Sequence, residues 1–379
     1  MDPLEELLSW ATAKGVEINC VKPARMPGRG VGIVATHQIM PGEVLLEIPT
    51  ACLRTTDTVP RPIVRKLPRN ISVQGLLAAD LALDKSSKYA PWMAVCPTLA
   101  DFVTIPLHWP AELQARLPGP ARTILAKQQA KLRRDWEAVS AAYPDLGAEA
   151  YRHAWLLVNT RTFYYVNARL RRKVKPTDTD NCLCQQPVAD LFNHGDEGCG
   201  VAFDGAGFTV TAQRAYAPGD EVRICYGTHS GDFLLVEYGF TMDENRWDEV
   251  GLDDVLLPRL GAQQRERLDE AGFLGKYVLD RDAVCHRTQV AVRLLCCKVG
   301  EWRRFVDGAD DGTASQKDVD AVLLKMLSEY KGKAEEMARE VENSEVGEPE
   351  QRAVLVQRWK QITVLVAAYI AKIQEGNTR

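Results

Sequence analysis

The sequence predicts a mixed β/α chain: a strand-rich region split by a helical insert, then an all-α C-terminal domain. Three observations carry this. Short β-branched runs punctuated by Gly and Pro occupy residues 28–49 and again 188–240; a helical apolar period lies between them; and beyond about residue 247 the period is almost wholly helical. We therefore expect one domain over 1–246, with its insert at about 60–155, and a helical domain over 247–379.

Residues 3–14 read as an amphipathic helix, with Leu4, Leu7, Leu8 and Ala11 on one face, Asp2 as N-cap and Gly15 as stop. From Gly28 to Pro49, two β-rich runs, Val31–Ala35 and Val44–Ile48, flank a Pro41-Gly42 turn and look like a strand–turn–strand unit. Residues 72–84, capped by Ser72, and 110–142 are helical, the second with Leu113, Leu117, Ile124, Leu132, Trp136 and Val139 facing a core. A helix at about 147–165 leads into the basic loop RLRRKVKPTDTDN, expected to be exposed. Strands such as Phe208–Ala212 and Glu221–Tyr226 follow among glycines, and helices at 258–270, 280–306, 316–342 and 350–374 close the chain. The acidic stretch around Glu335–Glu350 reads as a solvated helix end and loop.

At 379 residues, with 46% hydrophobic and 26% charged side chains, the chain has ordinary globular composition, which excludes a small disulfide scaffold and a disordered polymer. Lys plus Arg (47) nearly balances Asp plus Glu (51), for a net charge of −4, so no direct nucleic-acid partner is expected. The longest apolar stretch, Val364 to Ala371, is far short of the ~18–20 residues of a membrane span, so no membrane association is expected. Asp2, Glu5 and Glu6 precede any basic residue, the wrong sign for a leader. The ten cysteines then read as free thiols in a reducing compartment, cytoplasmic or nuclear.

Three constellations could carry chemistry. Gly28-Arg29-Gly30-Val31-Gly32 permits close backbone approach to a ligand, or is simply a tight turn before a strand; it lacks dinucleotide or phosphate-loop spacing. Asp190-Leu191-Phe192-Asn193-His194 sets polar groups among apolar ones, either as a buried hydrogen-bonded turn or as a ligand site. Tyr226-Gly227 and Tyr238-Gly239-Phe240 are core aromatics or a pocket. Cys182, Cys184 and Cys199 lack a second ligand pair, so no metal is expected.

Taken in order, GRGVG with MPGEVLLEIP, NTRTF at Asn159–Phe163, DLFNH, ICYG at Ile224–Gly227 and FLLVEYGF at Phe233–Phe240 resemble the SET-domain protein methyltransferases, in particular the subgroup containing Rubisco large-subunit methyltransferase. The resemblance extends over nearly the whole chain and implies a SET β-fold with its pseudoknot and a helical insert. It further implies an S-adenosylmethionine-dependent protein-lysine N-methyltransferase acting on a non-histone protein. Translation factors and ribosomal proteins are natural acceptors, and the C-terminal helices would hold the protein substrate. Histidine methylation is the alternative within the subgroup, and a catalytically silent binding module the alternative outside it. We expect a monomer.

By the same resemblance, Tyr226 lies at the transfer point, and Tyr238 is a second pocket tyrosine that also contacts substrate, with Phe163. Arg29, Gly30 and Val31 would wrap the cofactor, Asn193 and His194 hold it, Asp190 support them, and Arg161 and Phe240 flank it. An amine of reference pKa ~10.4 must lose its proton before it can attack a methyl group, which an aromatic channel favours. Gly195 after Asn-His, where Ser is frequent, and the THSGD loop, where Asn is frequent, depart from the family pattern.

Overall fold

The computed structural model describes residues 2–166 and 182–376; the loop RLRRKVKPTDTDN lies outside the described residues. The chain forms two compact units, one from Met1–Phe102 with Lys127–Thr228, the other from Val103–Ala126 with His229–Arg379. This division differs from the boundary expected at residue 246. Its reason is the core: Trp109, Leu113, Leu117, Leu235 and Val236 share one buried cluster with Val250, Leu323, Leu355 and Ile362, so 103–126 and 229–246 group with the C-terminal helices.

The first unit is built on strands β1 (Glu17–Ile18), β2 (Val21–Met26), β3 (Gly30–Ala35), β4 (Val44–Pro49), β5 (Thr162–Tyr164), β6 (Leu183–Gln185), β7 (Asn193–Phe203), β8 (Gly207–Ala212) and β9 (Glu221–Ile224). Seven of them form one sheet in the order β1-β4-β8-β7-β9-β3-β2, and β5 pairs with β6 separately. Within the large sheet β7 and β9 run parallel, and the other neighbours are antiparallel. The runs expected as a strand–turn–strand unit are both strands, β3 and β4, but they are not neighbours. The segment between them is too long for a tight hairpin and is held elsewhere, by an Ile39 bridge to Tyr216.

Asp2 caps the helix Pro3–Ala13 by accepting from the Leu4 amide, and Ser72 caps Val73–Leu83 by accepting from Gly75. The expected helix 110–142 is broken by Pro118 into Ala111–Gln114 and Gly119–Ala142. Leu113, Leu117 and Val139 are buried as expected, while Ile124, Leu132 and Trp136 are half-buried. The helix expected to reach residue 165 stops at Arg161, because β-branched and aromatic Thr162-Phe163-Tyr164 lose side-chain freedom in a helix and pair as β5 instead.

In the second unit the segment Gly231–Tyr238, expected among strands, is a helix. Leu234, Leu235 and Val236 are buried consecutively, which an alternating half-buried strand does not allow. The stretch 280–306 is two helices, His286–Cys296 and Val299–Val306. Gln316–Glu342 matches its expected bounds, and Pro349–Gly376 packs beside it. The domain is not purely α: β10 (Glu249–Gly251) and β11 (Val278–Asp280) form an antiparallel ribbon. Among the described residues no helix is long and apolar enough to cross a membrane.

Candidate active site

The β2–β3 turn carries the glycine-rich run. The Arg29 amide donates to the Met26 carbonyl at 3.0 Å, and Gly30 opens β3 at φ +70°, a conformation costly for any other residue. At Gly32 a Cβ would meet Asn193 Nδ2 at 2.8 Å, so the glycine lets the Asn193 amide lie against the β3 backbone. Val31 sits opposite Arg25 in the hairpin.

Parallel pairing of β7 with β9 brings DLFNH to ICYG: Asn193 lies opposite Arg223, and His194 opposite Ile224. His194 Nδ1 accepts from the Tyr226 amide at 3.0 Å, and the two rings lie 5.0 Å apart. The Tyr226 hydroxyl donates to the Phe192 carbonyl at 2.7 Å. Burial pushes this phenol up to about 12; the Arg161 cation opposes the rise, and Asp190 and Glu221 add to it. At neutral pH the hydroxyl is therefore neutral and donates to the Phe192 carbonyl.

Beneath it, Asp190 is fully enclosed. Trp92 Nε1 donates to Asp190 Oδ2 at 3.0 Å, and Arg161 Nη1 donates to the Asp190 carbonyl at 2.7 Å and to Oδ2 at 3.2 Å. Burial pushes the Asp190 carboxyl up, against the lowering effect of Arg161 and of the hydrogen bond from Trp92. Burial works hardest against the Arg161 cation, but Asp190, by charge and hydrogen bond, together with Cys96 and Tyr226 outweighs it and raises its pKa. Just before this turn, Val188 holds φ +80°, a strained conformation for a β-branched residue.

Asn193 Nδ2 donates to Glu221 Oε1 at 2.8 Å, while the other carboxylate oxygen accepts from Arg29 Nη1 at 2.7 Å and from Arg223 at 2.8 and 2.6 Å. Burial would raise the Glu221 carboxyl, but hydrogen bonds from Asn193 and Arg223 and the charges of Arg223 and Arg29 hold it below the usual range.

The structure thus gathers Arg29, Gly30, Val31, Arg161, Asp190, Asn193, His194 and Tyr226 in the first unit. Phe163 is in that unit too, on β5 opposite Cys184, with its ring 6.4 Å from Phe208. Tyr238 and Phe240 belong to the second unit. There the His229 ring stacks on Phe233 at 4.1 Å, Tyr238 lies 6.4 Å from each, and Phe240 is 6.2 Å from Tyr238. Sequence reasoning missed Trp92, Glu221 and the Phe192 carbonyl. Glu221 opens the β-run that ends at Tyr226, and a lone carboxylate entering a buried strand was the available signal.

Residues 30–227 match the family model for the SET domain, and residues 248–372 match the model described as the C-terminal domain of ribosomal lysine N-methyltransferase 2. The chain is 26% identical over 354 residues to ribosomal lysine N-methyltransferase set11 of Schizosaccharomyces pombe, covering 89% of this chain and 90% of that protein. It is 25% identical to SET domain-containing protein 4 of Mus musculus, covering 90% and 84%. Among solved structures, Rubisco LSMT bound to sinefungin and monomethyllysine superimposes with a TM-score of 0.67 at 12% identity, over 100% of this chain and 93% of that one. Rubisco LSMT bound to AdoMet gives 0.64 at 15% identity, over 99% and 94%.

Proposed function

Because the chain belongs to the SET-domain family, we propose that it is an S-adenosylmethionine-dependent protein-lysine N-methyltransferase whose acceptor is a non-histone protein, specifically a ribosomal protein. The observation that carries this reading is the neutral, half-buried Tyr226 phenol fixed between His194 and the Phe192 carbonyl. The likeness to a ribosomal lysine methyltransferase along most of both chains supports the acceptor class.

The residues present fit the cofactor. No atom lies within 4 Å of where a Cβ would stand on Gly28 or Gly30, so the turn backbone is open to a ligand. Arg161 Nε and Asp190 Oδ1 are buried without a hydrogen-bond partner among the described residues, a donor and an acceptor that a polar ligand or its water would satisfy. Arg29, Gly30 and Val31 would hold the cofactor through the turn backbone and Asn193 and His194 through their side chains, with Asp190 and Arg161 around it. When bound, S-adenosylmethionine supplies a methyl group on a cationic sulfonium.

The chain's own part is binding and orientation. Tyr226 uses its proton on the Phe192 carbonyl, so its oxygen accepts from the incoming amine and aims the nitrogen lone pair. With the phenol pushed up to about 12, Tyr226 is no phenolate base near neutrality; the amine proton leaves to solvent. Aromatic surface on the acceptor side, a role we assign to Tyr238, disfavours the charged ammonium. Phe192 O and Tyr226 Oη together offer weak CH···O contacts to a polarised methyl group. We place this activity in the cytoplasm or nucleus, in a monomer.

The test is transfer of labelled methyl from S-adenosylmethionine to a ribosomal-protein fraction by the purified protein. Label on a lysine is expected. Donor binding without label on any polypeptide would refute the enzyme reading, and label on a histidine imidazole would refute the acceptor.

A further inference from the structure

Tyr238 and Phe240 sit on a segment that the long helix Pro349–Gly376 grips from one face. Arg358, fully buried, donates from Nε to Asp232 Oδ1 at 2.8 Å, from Nη1 to Asp248 Oδ2 at 2.7 Å and from Nη2 to the Glu249 carbonyl at 3.0 Å. The other Asp248 oxygen accepts from the Gly231 amide at 2.8 Å, so one guanidinium organises the first turn of the helix that ends in Tyr238. Beside it, Gln361 Nε2 donates to the Met242 carbonyl at 2.6 Å and Gln357 Nε2 to Asp243 Oδ1 at 3.1 Å, fixing the chain just past Phe240.

A buried ion triad is a poor device for stability alone, since apolar packing of the same volume often does as well. What a planar fork adds is direction: it sets both carboxylates, and the elements bearing them, in one orientation. We infer that Arg358 is a positioning residue for methyl transfer, holding Tyr238 in place through Asp232 and Asp248, with Gln361 as its auxiliary. The C-terminal helices then act in turnover as well as in substrate capture. This rests on the reading that Tyr238 lines the acceptor pocket.

The experiment uses the full chain as Arg358→Lys, Gln361→Ala, Tyr238→Ala and the two double variants with Tyr238→Ala, with circular dichroism as a check of folding. The expected result is a kcat lower on the order of tenfold or more for Arg358→Lys, since small misplacements of reacting groups cost that much, and a smaller loss for Gln361→Ala. Donor affinity stays unchanged, and neither substitution lowers kcat further in the Tyr238→Ala background, where the positioned ring is gone. Equal losses in both backgrounds, or a raised KM with intact kcat, would overturn the positioning role. Should Arg358→Lys fail to fold, Gln361→Ala decides the same question. No transfer by the wild-type chain would defeat the methyltransferase reading itself, and full activity of Tyr238→Ala would defeat the pocket assignment.

Discussion

Replacing Glu221 by alanine removes the carboxylate that holds the Asn193 amide, Arg29 and Arg223. Its side chain is 8% exposed, whereas its partners Arg29 and Arg223 are 49% and 37% exposed, so those two ion pairs are solvent-screened and worth about 0–1 kcal/mol each. The bond from the partly buried Asn193 amide is charge-assisted and worth about 1.5–3 kcal/mol. The variant should therefore lose about 1.5–5 kcal/mol of folding stability. Freeing the Asn193 side chain adds an ordering cost of about 0.5–1.5 kcal/mol to donor binding, so affinity for S-adenosylmethionine should weaken by up to about tenfold. Calorimetric titration of the folded variant reads this directly, and an unchanged Kd would refute the reasoning. The pH dependence has a definite sign. Although burial works the other way, hydrogen bonds and charges hold the Glu221 carboxyl below its usual range. Its stabilisation is fully present above the unfolded value of ~4.3 and is lost as pH falls through the lower folded value. Glu221→Ala should flatten that part of the acid-unfolding curve.

Tyr226→Phe should remove most turnover and leave donor affinity nearly unchanged, because the hydroxyl acts in the transition state; single-turnover kinetics beside calorimetry checks this, and full activity would show the site misplaced. Asp190→Ala strands the Arg161 cation in the interior and should cost about 3–5 kcal/mol in denaturant unfolding, against an unchanged midpoint if the pair is idle. A chain cut before residue 250 would expose Trp109, Leu113, Leu117, Leu235 and Val236 and should aggregate; a soluble, folded truncation by light scattering and circular dichroism would contradict the grouping of 103–126 with the C-terminal helices.

What could be read from the sequence was what local pattern encodes. Gln316–Glu342 matches its expected bounds because a long amphipathic period names its own core face, and Ser72 and Asp2 cap as their chemistry dictates. Thr162–Tyr164 and Gly231–Tyr238 were misread because short apolar runs fit strand and helix alike, and the partner settles them: β6 in one case, the buried cluster around Leu235 in the other. The division of the chain was hidden for a related reason. Trp109 and Leu113 meet residues far along the sequence, which no local window contains. Asn193, His194 and Tyr226 stood out through their ordered motifs, and the pairing of β7 with β9 brings them together. Trp92 and Glu221 did not, since each matters only through a contact that folding creates: Trp92 with Asp190, and Glu221 with Asn193 and Arg29.

The most direct measurement is quantitative methyl-proteomics of cells with and without this gene, followed by tandem mass spectrometry of the purified acceptor after incubation with the wild-type chain and with Tyr226→Phe. The account predicts one or a few ribosomal proteins that lose methylation at a lysine when the gene is absent, and regain it in vitro with the wild-type chain but not with Tyr226→Phe. Identical lysine methylation in both cell populations, or equal restoration by the Tyr226→Phe chain, would contradict it.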